Sequence, residues 1–160
     1  ILEAQDRLLV IQSHMLPLVL AIISLILLLA LRSVRVLLPA LLANLLPLLL
    51  TAGCMAWFAV PINSINLFVG SVMLGIVVDD TVHLLHAWRT SGSIDMALAE
   101  VGQALWITSI TVGLAFSTLA VSELVPIRQF GLLSMVAVGS AWLCDTCLLP
   151  TLLMQRKGIS

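Results

Sequence analysis

Five apolar stretches, each near the ~20 residues an α-helix needs to cross a hydrocarbon core, fill most of this chain. They run over about 16–31, 36–60, 65–88, 104–121 and 130–154, joined by short loops. Apolar residues make up 61% of the 160 positions and charged residues 9%, against about 45–50% and about 25% in soluble domains. So few charges cannot build a water-facing surface. The expected fold class is all-α, a polytopic membrane bundle of five transmembrane helices. In lipid the backbone must satisfy its own hydrogen bonds, and short loops make successive spans antiparallel neighbours.

The chain starts at Ile1 in mid-pattern, with Leu8 to Ile11 extending the first span as a protruding helix. We read residues 1–160 as a single transmembrane domain that is a fragment of something larger. The formal net charge of −1 leaves no basic stripe for phosphates and excludes nucleic acid as a partner. Cys54, Cys144 and Cys147 all fall within spans and read as small apolar packing residues.

Lysine and arginine in the loops set an orientation. Arg32, Arg35, Arg89, Arg156 and Lys157 fall on one side, and Arg7 and Arg128 on the other. The expectation is a cell-membrane protein (the inner membrane in a Gram-negative cell) with its N-terminus outside and its C-terminus in the cytoplasm. Residues 93–101 place Ile94, Ala97, Leu98 and Val101 on one face, the pattern of a short helix along the interface.

Ionisable groups inside a span are costly and point to function, and the third span holds Asp79 and Asp80, with His83 and His86 one and two turns on. At 100° per residue Ser71, Gly75, Asp79, His83 and His86 share a broad stripe. Ser71 and Gly75 have the small-xxx-small spacing that admits a neighbouring helix, so Asp79 is expected to face the bundle. Depth adds a second alignment. Asp80 lies nine residues from Arg89, Asn44 nine from Arg35, Asp145 eleven from Arg156, and Thr111 nine beyond Gly102. At about 1.5 Å per residue all four sit near the middle of a core ~30 Å thick. The result is an expected polar cluster with Asp79 and Asp80 at its centre and Asn44, Thr108, Thr111 and Asp145 around it. Two adjacent carboxylates in low dielectric cannot both stay ionised cheaply, so a proton on at least one is favoured. His83 lies towards the cytoplasm, placed to relay that proton.

Other readings of the same residues exist. A static lattice of ion pairs would use the same aspartate–histidine stripe. Asn44 has a local role open to it, capping a carbonyl freed by Pro47. An intramembrane aspartyl protease would pair Asp79 with Asp145, but the chain has no tyrosine and Val77 stands two before Asp79, unlike the motifs of such enzymes. Asp79, His83 and His86 offer a metal three ligands, with no further histidine or glutamate at that depth.

The stretch Gly75 to Arg89, GIVVDDTVHLLHAWR, resembles the fourth-helix signature of the resistance–nodulation–division (RND) superfamily, in its MMPL and Patched-like branch. Arg32-Ser33, Asn44 with Pro47, Ser109, the run Pro126 to Gly131, and Asp145 followed by Leu148 to Leu153 are similar to the same family. Pro39 is displaced from the usual position before Asn44. The resemblance covers nearly the whole chain and implies helices two to six of a six-helix repeat, the set that forms a sterol-sensing domain and half of an RND-type transmembrane region. The DDTxH form resembles the second repeat. Membership implies proton-driven export of lipids or other hydrophobic molecules, not an enzyme, with Asp79, Asp80 and His83 as the proton relay and no cofactor or metal. The partners implied are membrane lipids, a hydrophobic substrate, protons and the other repeat and extracytoplasmic domains of the same polypeptide, with room for a homo-oligomer. A lipid-sensing module that binds without pumping shares the fold and is the alternative.

Overall fold

A computed structural model of the chain describes residue 11 and residues 17–25, 27–28 and 33–157. Every regular element among them is helical: α1 (Val34–Trp57), α2 (Ser64–Ser91), α3 (Ile94–Ala120), α4 (Val125–Leu143), a π-helical turn (Cys144–Leu148) and α5 (Leu149–Lys157). The last three form one unbroken rod. Four stretches of the described residues are long and apolar enough to cross a membrane, Val36–Trp57, Phe68–Ser91, Ile94–Ala120 and Val125–Met154. The first expected span lies partly outside the described residues; 17–25 and 27–28 are helical.

Local chemistry explains where the helices stop. After α1, Ala59 takes a left-handed conformation (φ 48°). The Val60 amide reaches back to the Met55 carbonyl at 2.9 Å and the Ala59 amide to the Ala56 carbonyl at 3.3 Å. This closes a Schellman-type end, and Pro61 follows. Asn63 caps α2, its Oδ1 accepting from the Asn66 amide at 2.8 Å, as N-cap asparagines do. Gly92 (φ 70°) ends it, donating its amide to the Trp88 carbonyl at 3.0 Å. Pro126 sits in the first turn of α4, where no intrahelical donor is lost.

Two differences from the sequence reading stand out. The expected interfacial helix over 93–101 is not a separate element, because Ile94 to Ala120 is one continuous helix. Gly102 weakens the helix without breaking it, no proline intervenes, and the 93–101 apolar face packs inward through Ile94 and Ala97. The fifth span starts at Val125 rather than 130, since Pro126 initiates the helix.

Packing is uneven. Leu27, Ala40, Ala43, Leu84, Leu85, Ala97 and Leu149 belong to one apolar cluster. Val69, Met73, Leu133, Ala137 and Val138 form a second. Gly131 of α4 lies directly on the backbone of α3: a Cβ there would fall 2.7 Å from the Ala120 nitrogen and 2.8 Å from the Phe116 oxygen. The outer face of α3 carries Trp106, Ile107, Ile110 and Leu114, all exposed, an apolar surface suited to acyl chains. Where the α1–α2 connection meets α4, Asn66 Nδ2 donates to the Pro61 carbonyl and to Gln129 Oε1, both at 3.1 Å.

Candidate functional site

The two apolar clusters are separated by a polar layer. On α1 it falls at Asn44, on α2 at Thr81, and on the last span at Asp145, with exposures of 2%, 0% and 1%. Thr81 Oγ1 lies 3.0 Å from Asn44 Oδ1 and 2.6 Å from Asp145 Oδ1, so one hydroxyl joins three helices. Asn44 also donates Nδ2 to the Ala40 carbonyl at 2.8 Å. The carbonyl freed by Pro47 is that of Ala43, so Asn44 is not the local cap that its spacing from Pro47 allows.

Asp145 sits in the π-helical turn. The turn ends two residues before Pro150, whose ring would collide with the Thr146 carbonyl in a straight α-helix; widening the helix relieves that clash, and such bulges are frequent at functional positions. The Thr151 hydroxyl lies 3.0 and 2.7 Å from the Cys147 and Leu148 carbonyls, its one proton shared between two acceptors at the end of the turn.

The aspartate pair straddles this layer. Asp80 is half-buried and borders a cavity of about 20 Å³ with Thr108, Ser109, Val112, Val138 and Ala141, the size of one water molecule. The Thr108 hydroxyl borders the same cavity and donates to the Leu105 carbonyl at 3.0 Å. Asp79 points the other way. Its side chain is 73% exposed, that of His83 is 66% exposed, and His83 Nε2 stands 3.6 Å from Asp79 Oδ1.

The expectation that Asp79 faces the bundle is thus reversed within this chain. The stripe of Gly75, Asp79, His83 and His86 is exposed, and a Cβ on Gly75 would meet nothing within 4 Å. Packing is carried instead by Leu74, Val77, Thr81, Leu84 and Leu85, the adjacent stripe of the same helix. Ser71 lies half-buried at the edge of the exposed stripe. Thr111 is exposed and donates to the Ile107 carbonyl at 2.8 Å, so it does not join the cluster. Of the expected cluster, Asn44 and Asp145 join Thr81 in a buried triad, Asp80 and Thr108 form an intermediate pair, Asp79 stands outward with His83, and Thr111 stands apart.

Thr81 is the residue that sequence reasoning passed over. Its signal was present, a hydroxyl in the one polar position of an otherwise apolar 74/77/81/84/85 stripe. Asp79 and Asp145 occupy opposite environments and do not face each other as a proteolytic dyad would. Among the described residues no three His, Cys, Asp or Glu side chains are placed to hold one metal ion.

Residues 7–155 match the family model described as Patched SSD. A protein of Methanocaldococcus jannaschii, described as a membrane protein (MJ1562), is 27% identical over 135 residues, which cover 79% of this chain and 34% of that protein. The chain thus spans about a third of the length of that curated relative. No solved structure matches.

Proposed function

The chain belongs to the Patched family, matched through its SSD region, and is a multi-pass membrane protein; on that footing we propose that it carries the proton-coupling helices of an RND-type exporter of lipids or other hydrophobic molecules. The observation that carries this reading is the division of one acidic pair between two environments. Asp80 is enclosed by α2, α3 and α4, while Asp79, next to it in the chain, stands 73% exposed beside His83. A carboxylate facing hydrocarbon at mid-span costs several kcal/mol, so the Asp79–His83 stripe meets protein or water. In this reading it meets the other repeat of the same polypeptide, and protons pass between that interface and Asp80.

Three features support a moving proton over a static lattice. The histidine lies one turn from the acid, and an imidazole has one ring nitrogen to take a proton and another to give one. The contact at 3.6 Å is longer than a formed hydrogen bond, which leaves both groups free to exchange partners. The pair adjoins the buried triad through consecutive residues, Asp80 and Thr81. The N-terminus lies outside and the C-terminus in the cytoplasm, the substrate is hydrophobic, and the chain acts as a transporter rather than an enzyme.

A second reading, a lipid-sensing module that does not pump, is favoured by the SSD match. It is also favoured by an open groove of about 400 Å³ between α1 and the last span, lined by Leu46, Leu50, Leu143, Cys144, Cys147 and Leu148 among others. The intact protein in proteoliposomes under an imposed pH gradient separates the two. Proton flux in the wild type that falls to background in Asp79→Asn and in Asp80→Asn supports transport. Flux that survives both single substitutions refutes the proton-site assignment, and absence of flux in a folded wild type gives the sensing reading first place.

A further inference from the structure

The buried triad holds more oxygens than an ionised aspartate allows. Asn44 Nδ2 donates to the Ala40 carbonyl at 2.8 Å, which fixes the amide: turned over, it would press Oδ1 against that carbonyl, two acceptors with no proton between them. Asn44 Oδ1 therefore faces Thr81 as an acceptor only, at 3.0 Å. The Thr81 hydroxyl has a single proton to give, yet its oxygen is also 2.6 Å from Asp145 Oδ1, within the range of a good O–H···O bond. Were Asp145 a carboxylate, one proton would serve two acceptors, and one of the two contacts would be oxygen against oxygen in a dry interior. A second proton removes the conflict, and the carboxyl is the group able to carry it.

The surroundings agree. Asp145 is 1% exposed and its Oδ2 has no hydrogen-bond partner. An ionised carboxylate holding one hydrogen bond in such a place loses most of its hydration without a counter-charge, whereas the bare carbonyl oxygen of a neutral acid is far less costly to bury. The ionisable side chain that faces it from α2 is Asp80, another acid and so no counter-charge. The other ionisable group beside it, in its own turn, is the Cys144 thiol.

We propose that Asp145 is a proton-holding carboxyl, protonated at Oδ1, that donates to Thr81, which donates to Asn44, which donates to the Ala40 carbonyl. The chain runs one way across three helices, from the last span through α2 to α1. Its existence does not depend on Asp79 and Asp80 driving transport, and it assigns Asp145 a proton of its own, apart from theirs.

Infrared spectroscopy of the intact protein in lipid at neutral pH tests this. The expected result is the carbonyl stretch of a protonated, hydrogen-bonded carboxylic acid, shifted in protein grown with isotope-labelled aspartate. That band is lost in Asp145→Asn, whose amide still donates to Thr81, and kept in Asp80→Asn. Thr81→Ser leaves it in place, and Thr81→Val moves it to the frequency of an acid with a weakened bond. Should Asp145→Asn fail to fold, the Thr81→Val shift decides. A folded wild type with no such band, or a band indifferent to both position 145 and position 81, overturns the assignment. Loss of proton flux in the Asp79 or Asp80 variants leaves this band untouched, so the two proposals fail separately.

Discussion

Gly131→Ala is the smallest change expected to injure this fold. The added Cβ would lie 2.7 Å from the Ala120 nitrogen, 2.8 Å from the Phe116 oxygen and 2.9 Å from the Leu119 carbonyl carbon. All three atoms belong to the backbone of α3, so no side chain can swing aside. Reaching ordinary separations of ~3.5 Å requires α3 and α4 to part by roughly 0.7–1 Å along their contact. Overpacking of this kind typically costs about 1–3 kcal/mol, and rigid neighbours place this site towards the upper end. Alanine returns about 0.5–1 kcal/mol through its better helix propensity, leaving a net loss of about 1–2 kcal/mol. Gly113 and Gly139, where a Cβ would meet nothing within 4 Å, are the internal controls. Gly113→Ala and Gly139→Ala keep the propensity gain without the clash. Unfolding of the intact protein in mixed micelles, followed by tryptophan fluorescence, reads the difference. The reasoning fails if Gly131→Ala unfolds at the same denaturant midpoint as the two control variants.

Thr81→Val removes a hydroxyl that two buried groups share, and a loss of about 1–3 kcal/mol follows; Thr81→Ser recovers most of it, as the same denaturation assay would show. Ala59→Gly relieves a left-handed residue at the end of α1 and raises stability by up to about 1 kcal/mol, whereas Ala59→Val lowers it. Asn66→Leu breaks the bonds to Pro61 and Gln129, and faster hydrogen exchange confined to the first turns of α2 and α4 is the expected signature.

Four of the five expected spans have a long apolar helix over them, and were legible because length and apolarity alone dictate such helices in a bilayer. The continuity of α3 was not, since Asp95, Glu100 and Gln103 make its first turns look interfacial and hydropathy carries no information on whether a helix bends. Depth, counted from the arginines, rightly joined Asn44 to Asp145, because rise per residue is nearly constant. Direction around the axis was another matter. The Ser71–Gly75 spacing marked a face able to receive a helix, and within this chain the adjacent stripe does the packing. Thr111 failed for the same reason, pointing away from the cluster. Glycines illustrate the limit well: Gly70, Gly75, Gly113, Gly131 and Gly139 were equivalent as letters, and only Gly131 brings two backbones together.

The outward stripe on α2 has a consequence for biogenesis. A helix leaving the translocon with an aspartate at its centre inserts against a penalty of about 2.5–3.5 kcal/mol, set against the apolar remainder of Phe68–Ser91. The buried triad gives α2 companions in α1 and the last span, while Asp79 and His83 stay outside that packing. Until protein or water covers that stripe, the membrane holds a bundle with one adhesive side. A membrane quality-control protease or chaperone that reads unpaired polar groups in lipid would find its recognition mark on that side, and covering the stripe would remove it.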